Sequence, residues 1–238
     1  MRFPYGLQII ESCLTCTLRR DNLFCNLSPE ALRSMEAIRS TATYPKGTVL
    51  FVEGQNPRGV YLLCNGRAKL SSHSSEGKSV ILKITEPGEV LGLSATVSGR
   101  PYEATLELLE PCQVNFMRRD DFLSFLHQHG DVAVRAAQQL SQHYHSACQE
   151  IRTLGFSQSA SGRLARLLLE WAESQKNGGN GLRLKMNLTH EEIGQRIGTT
   201  RETVTRILAD LKRRKILAVK GSSLTITNKA ALEELTAS

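Results

Sequence analysis

The stretch Leu188-Thr-His-Glu-Glu-Ile-Gly-Gln-Arg-Ile-Gly-Thr-Thr-Arg-Glu-Thr-Val-Thr-Arg-Ile-Leu-Ala-Asp-Leu211 decides the fold. Thr189 with Glu192, and Thr199 with Glu202, each place a hydroxyl three residues before a carboxylate. That is the pattern of a capping box, in which the two side chains satisfy orphan helix-start amides reciprocally. Two helices are expected to begin here, ten residues apart, with Gly198 making the turn between them. Ile193, Ile197, Val204, Ile207, Leu208 and Leu211 supply the apolar faces that hold such a pair at a fixed angle. The outward face of the second helix presents Arg201, Glu202, Thr205 and Arg206 in its first two turns, where a recognition helix meets base edges. An arginine can grip guanine O6 and N7 with both arms, and a carboxylate can accept from cytosine N4. Glu202 would also orient Arg206 across one helical turn. The alternative is an exposed, salt-bridged helix with no DNA contact, but capping, turn glycine and charged face agree on a helix-turn-helix.

Downstream, Lys212-Arg-Arg-Lys215 forms a phosphate-facing cluster, and Ile216–Thr227 reads as two short strands around a Gly-Ser-Ser turn, a wing. The expected DNA contacts are Thr189, Thr199, Thr200, Arg201, Glu202, Thr205, Arg206, Lys212, Arg213 and Lys220. The net charge of +7 is unevenly spread: residues 1–156 carry 16 Lys and Arg against 15 Asp and Glu, residues 157–238 carry 14 against 8. Localised basic excess is the electrostatic footprint of a polyanion-binding module, so double-stranded DNA is the expected partner.

Upstream, Ser159 to Ser174 is helical in pattern, with Leu164, Leu167, Leu168 and Trp171, and ends at Asn177-Gly-Gly-Asn-Gly181. That glycine run lacks the Gly-Lys-Ser/Thr ending of a phosphate loop and reads as a turn. Before it, Ala133, Ala137, Leu140, Tyr144, Ala147, Ile151 and Leu154 are spaced 4, 3, 4, 3, 4, 3, a narrow seam of a and d positions over about three heptads. One helix lying on its own core is the simpler account; the polar flanks favour a coiled-coil homodimer interface. From Tyr44 to Phe116 short apolar runs alternate with Pro45/Gly47, Gly54, Asn65-Gly66, Pro87-Gly88 and Gly99-Arg-Pro101, the signature of an antiparallel barrel or roll.

No signal peptide and no run of about 20 apolar residues is present, so a cytoplasmic chain with no membrane partner is expected. No Gly-x-Gly-x-x-Gly, His-Glu-x-x-His or Gly-x-Ser-x-Gly occurs, and His127, His129, His143 and His145 form no standard metal spacing. An enzyme is not expected. Six cysteines in such a compartment are reduced; Cys13, Cys16 and Cys25 cluster near the N-terminus, while Cys64, Cys112 and Cys148 are scattered.

These residues resemble the Crp/Fnr family, the cyclic-AMP receptor and oxygen-responsive regulators of bacteria. The resemblance is carried by Arg201-Glu-Thr-Val-Thr-Arg206, Ile216-Leu-Ala-Val-Lys-Gly221, Tyr44-Pro-Lys-Gly47, Glu53-Gly54 and Gly88-Glu-Val-Leu-Gly92. It implies an α+β chain: a cysteine-bearing segment (1–26), an antiparallel β-roll of the cyclic-nucleotide-binding kind (27–130), a long dimerisation helix (131–156) and a winged helix-turn-helix (157–238). It also implies a homodimer reading a palindromic operator, with RNA polymerase as a further partner if the protein activates. Members of the cyclic-AMP type hold the phosphate with an Arg-Ser pair and the purine with a Thr-Ser pair; the matching positions here are Tyr102-Glu103 and Ala147-Cys148. Lacking the guanidinium and offering a carboxylate, the site is expected not to bind cyclic AMP.

Gly92-Leu-Ser-Ala-Thr-Val-Ser-Gly-Arg-Pro101 is closer to the oxygen-responsive branch. Its regulators ligate a [4Fe-4S] cluster through three N-terminal cysteines and one further along the roll, and Cys13, Cys16, Cys25 and Cys112 occupy the corresponding places. Eight residues separate Cys16 from Cys25, more than in the characterised oxygen sensors. Four thiolates suit an iron–sulfur cluster or zinc equally on ligand type; a thiol switch, another small ligand or no cofactor are the alternatives. If a cluster is held, the resemblance implies that it supports dimer-helix packing and that oxygen or nitric oxide destroys it. Arg201 matches the cyclic-AMP receptor, so half-sites nearer TGTGA than TTGAT are expected.

Overall fold

The computed structural model describes residues 4–19, 24–74, 76, 78–155, 159–174, 183–185, 188–220 and 223–236; side chains at 4, 18, 149, 150, 152–155, 173, 174, 183–185 and 220 lie outside the description. The turn expected at 177–181 falls outside it as well. The chain divides into two compact units, Met1–Ser146 and Ala147–Ser238.

In the first unit, helix α1 (Pro29–Ile38) starts where Ser28 accepts a hydrogen bond from Ala31 N with proline at the first helical position, a start signal that the sequence carries but the alternating strand pattern overshadows. Eight strands follow: β1 (Arg39–Tyr44), β2 (Val49–Phe51), β3 (Gly59–Asn65), β4 (Ala68–His73), β5 (Ser79–Thr85), β6 (Val90–Leu91), β7 (Thr105–Leu108) and β8 (Cys112–Arg118). They form two antiparallel four-stranded sheets, ordered β1-β8-β3-β6 and β2-β7-β4-β5. A short helix α2 (Leu93–Ser98) sits between two left-handed glycines, Gly92 and Gly99. Helices α3 (Arg119–Gln128) and α4 (Gly130–Gly155) close the series, α4 running across the division between the units.

Strand alternation gives the first sheet two different faces. Tyr61 and Leu63 of β3, with Cys112 and Val114 of β8, join Phe51, Ala68, Leu106 and Leu108 in the core between the sheets. Val60, Leu62 and Cys64 of β3 and Met117 of β8 point the other way, into a second core closed by the N-terminal segment, α1, α3 and the start of α4. Gly66 at the β3–β4 turn has φ +84°, and a Cβ there would lie 2.4 Å from Cys112 Sγ, so turn geometry and packing both require glycine.

The second unit contains α5 (Ala160–Ser174), β9 (Arg183–Lys185), α6 (His190–Ile197), α7 (Arg201–Arg213), β10 (Leu217–Lys220), β11 (Ser223–Ile226) and α8 (Lys229–Glu234). β10 and β11 are the expected hairpin, and β9 adds a third strand to it in the order β10-β11-β9. Beside the glycine run, β9 is too short to show periodicity in sequence. No helix among the described residues is long and apolar enough to cross a membrane.

Candidate nucleic-acid interface and cysteine site

The first capping box forms as expected: Thr189 Oγ1 accepts from Glu192 N at 3.2 Å, and Thr189 N donates to Glu192 Oε2 at 2.8 Å. The second does not. Gly198 (φ 63°) ends α6 in the left-handed conformation and Thr199 N returns to Gly194 O at 2.8 Å, so Thr199 still belongs to the helix end. The cap moves one residue on, to Thr200, whose hydroxyl accepts from Thr203 N at 3.3 Å. A hydrogen bond from its own backbone N–H and a second from the Thr200 side chain hold the Glu202 carboxyl below the usual carboxylate range. No ion pair joins Glu202 to Arg206 among the described residues, which corrects the orienting role expected for Glu202.

α6 and α7 meet through Ile193, Ile197, Val204, Leu208 and Leu211, all buried, while Ile207 is half-buried. The turn between them packs tightly on Gly194, where a Cβ would lie 2.7 Å from Thr199 O. Arg163 of α5 donates from Nε to Ile197 O at 2.6 Å and from Nη2 to Gly198 O at 3.4 Å, placing a cation on the carbonyl end of α6. Gly194→Val is expected to cost about 1–3 kcal/mol by overpacking. A lowered thermal midpoint together with lost operator binding would show it; unchanged binding would mean that the helix pair does not need this contact.

Arg201, Glu202, Thr205 and Arg206 are exposed on one side of α7, with Thr189 and Thr200 beside them. Thr205 is anchored, donating to Arg201 O at 2.9 Å and lying 2.9 Å from His190 Nδ1 on α6. Sequence reading gave His190 no part in this site; only the crossing of the helices brings it there. Lys212 and Arg213 are exposed at the end of α7, where Arg213 pairs with Asp210. Lys220 ends β10, and its side chain lies outside the described residues.

On α4 the seam is divided. Val132, Ala136 and Gln139 are buried in the first unit, Leu140 packs on the same core and Ala133 is half-buried. Ala137, Tyr144, Ala147 and Ile151 are exposed, Tyr144 at 68% and Ile151 at 69%; the Leu154 side chain lies outside the described residues. A helix that serves its own core needs a second stripe, which explains why Ala133 and Leu140 depart from the expected seam.

Of the four cysteines expected to act together, Cys13 and Cys25 are buried in the outer core and Cys16 is half-buried. The N-terminal segment is tied to the outer face of the first sheet by Gln113, which accepts from Ile10 N and donates to Ile10 O, both at 2.7 Å. Glu36 of α1 holds it further, accepting from Cys13 N at 2.6 Å and from Ser12 Oγ at 2.9 Å. Burial pushes the Cys25 thiol far up, and the nearby Cys64, Cys13 and Cys16 thiols add to that, since ionised sulfurs repel one another. Cys112 is elsewhere: it faces the core between the sheets, its Sγ directed at Glu110 O (3.2 Å) and Arg67 O (3.5 Å). The set Cys13, Cys16, Cys25 and Cys112 is therefore not brought together, because β8 turns odd and even residues to opposite faces. Among the described residues no group of three or more His, Cys, Asp or Glu is arranged to hold a metal ion, and the described cysteines are all free thiols.

At the nucleotide-type positions, Tyr102 is buried, stacked on Phe51 at 3.9 Å, and its hydroxyl donates to Gly59 O at 2.8 Å. Glu103 is exposed and accepts from Ser94 Oγ at 2.5 Å.

Residues 41–129 match the cyclic nucleotide-binding domain and residues 162–235 the Crp-like helix-turn-helix domain. The chain is 25% identical over 216 residues to the CRP-like cAMP-activated global transcriptional regulator of Mycobacterium tuberculosis, covering 90% of this chain and 96% of that one. It is 26% identical over 213 residues to the cyclic AMP receptor protein of Thermus thermophilus, covering 90% and 95%. The structure of FixK2 from Bradyrhizobium japonicum superposes with a TM-score of 0.74 at 24% identity, covering 84% and 98%, and shows the same fold. With sensory and reading modules both matched, in this order, the chain belongs to the Crp/Fnr family of DNA-binding transcription regulators.

Proposed function

We propose that the protein is a homodimer that reads a palindromic operator with TGTGA-like half-sites and answers to redox state, oxygen or nitric oxide through its N-terminal cysteines. The observation that carries the sensory part is a convergence on residues 88–90. Cys25 Sγ approaches Gly88 O at 4.0 Å. Two residues on, Gln139 of α4 clamps Val90, donating from Nε2 to Val90 O at 2.7 Å and accepting from Val90 N at 3.3 Å. Between them Glu89 pairs with Lys83, whose Nζ lies 3.0 Å from His143 Nε2 on α4. Whatever moves Cys25 moves a segment that α4 grips, and the exposed stripe of α4 is the proposed dimer contact, so signal and dimerisation are linked as one equilibrium.

The relatives named for cyclic AMP do not extend that ligand to this chain, because Tyr102 fills the position of the phosphate-binding arginine and Glu103 sets a carboxylate beside it. The chain's own part in such sensing is to bury the Cys13 and Cys25 thiols and to couple Cys25 to α4 through residues 88–90; the described residues, with no group of three or more metal-ligating side chains arranged together, do not fit a four-cysteine iron–sulfur cluster. Thr189, Thr199, Thr200, Lys212, Arg213 and Lys220 position the phosphate backbone, and Arg201, Glu202, Thr205 and Arg206 read bases.

The test is selection of bound sequences from a random DNA pool by protein prepared without oxygen, followed by titration of the selected duplex before and after exposure to air. Inverted TGTGA-like half-sites, with affinity falling at least about tenfold in air, are expected. TTGAT half-sites would overturn the operator reading, and air-independent affinity would overturn the sensory one.

A further inference from the structure

The crossing of α6 on α7 sets the His190 ring against Thr205, beside the residues assigned to DNA. We propose that His190 is a further DNA-contacting residue: it takes up a proton on binding and donates from Nε2 to a backbone phosphate, so that affinity for DNA rises as pH falls through the range in which histidine titrates. The inference deepens the operator reading above and rests on its assignment of α6 and α7 to DNA.

Thr205 has one hydroxyl proton, and it goes to Arg201 O at 2.9 Å. In the 2.9 Å contact between His190 Nδ1 and Thr205 Oγ1 the ring is therefore the donor. With a hydrogen fixed on Nδ1, the neutral ring keeps its lone pair on Nε2, and only the protonated ring has an N–H there. Charge state alone decides whether that edge accepts or donates. Thr205 is the partner of His190 among the described residues, and Nε2 has none. A phosphate oxygen repels a lone pair and accepts from an N–H, so phosphate selects the imidazolium, and by linkage each favours the other.

The first helix of a helix-turn-helix crosses the DNA backbone while the second enters the major groove, which favours phosphate over a base edge for His190. His190 opens α6 directly after the Thr189 cap; its ring is half-buried, and Thr189 and Thr205 on either side of it are exposed. The charged groups around it come from three helices. α6 itself carries Glu191, Glu192 and Arg196, with Glu192 Oε2 already taken by Thr189 N at 2.8 Å and Thr189 Oγ1 at 2.9 Å. α7 presents Arg201, Glu202 and Arg206 on its exposed side. α5, which also packs on α6, carries Arg166, Glu170 and Arg163, the last held at the far end of α6 on Ile197 O and Gly198 O. No carboxylate among the described residues pairs with His190, so DNA supplies the counter-charge for its protonated ring.

Affinities of full-length wild type and His190→Gln are measured by fluorescence anisotropy at about pH 6 and about pH 8, an interval across which histidine changes charge, at one ionic strength. Each protein is titrated with the selected duplex and with a scrambled one, because a phosphate contact is blind to sequence. Wild type is expected to bind both duplexes roughly tenfold or more tightly at the lower pH, the contact being made at two half-sites, and His190→Gln to lose most of that gain. Equal gains in the two proteins, or no gain in wild type on either duplex, would overturn the proposal; a gain confined to the selected duplex would make His190 a base reader and overturn the phosphate assignment. Half-sites other than TGTGA would sink the operator reading alone, since the scrambled duplex still decides His190. Should His190→Gln fail to fold, nitrogen NMR of wild type with isotope-labelled histidine decides, the His190 signals being assigned through the contact with Thr205. Movement of the Nε2 signal to the protonated position when DNA is added at about pH 7 upholds the proposal, and a ring that stays neutral refutes it.

Discussion

Arg206→Ala is expected to weaken binding to the selected operator by roughly 30- to 10⁴-fold while binding to unrelated DNA changes little. Arg206 is exposed on α7 beside Arg201 and Thr205, and no ion pair to a carboxylate restrains it among the described residues. A bidentate arginine–guanine contact contributes about 1–3 kcal/mol of discrimination, and a two-fold dimer loses it twice. The salt dependence separates this from a phosphate contact. Lys212→Ala should weaken all sequences alike and reduce the salt slope by about one per half-site, whereas Arg206→Ala should relax sequence preference at one base pair. Fluorescence anisotropy against matched and scrambled duplexes at several salt concentrations checks both. Equal losses on both duplexes would move Arg206 to the backbone-contacting class.

The second large effect is on the sensory module. Tyr102→Ala should destabilise the first unit by about 3–5 kcal/mol, the usual cost of deleting a buried aromatic ring, which for a module of this size lowers the thermal midpoint by on the order of 10 °C. The ring stacks on Phe51, its edge fits where Gly92 has no Cβ, and its hydroxyl satisfies Gly59 O. The same packing predicts the ligand response. A ligand present at 100 times its dissociation constant stabilises by about 2.7 kcal/mol, so a nucleotide that bound would shift the midpoint measurably. Cyclic AMP at millimolar concentration is expected to leave the wild-type midpoint unchanged; a rise of several degrees would show that Tyr102 yields to the nucleotide and would return the protein to the cyclic-AMP-responsive group.

Much of this molecule is determined locally. The helix-turn-helix is legible because capping residues, a left-handed glycine and a 3.6-residue apolar period act within a few residues of one another, and the hairpin after α7 is legible for the same reason. The roll shows itself as alternating strands cut by turn glycines, such as the Asn65-Gly66 turn. Where local signals compete, sequence reading is off by one residue: Thr199 and Thr200 both offer a hydroxyl, and the backbone return from Thr199 N to Gly194 O selects Thr200 as the cap.

Which distant residues share a place is settled by long-range contacts alone. Spacing could group Cys13, Cys16, Cys25 and Cys112, but the side of the sheet that Cys112 faces is set by the β3–β8 register, which turns it into the core between the sheets, while the N-terminal segment docks on Gln113 at the outer face. The division of α4 between a stripe bound to its own core and an exposed one has the same origin. Val132, Ala136 and Gln139 are spaced as a seam is, and only the presence of Val90 opposite Gln139 assigns them to the roll. Periodicity tells a helix which faces it has; the partner for each face comes from contacts between segments that the sequence holds far apart.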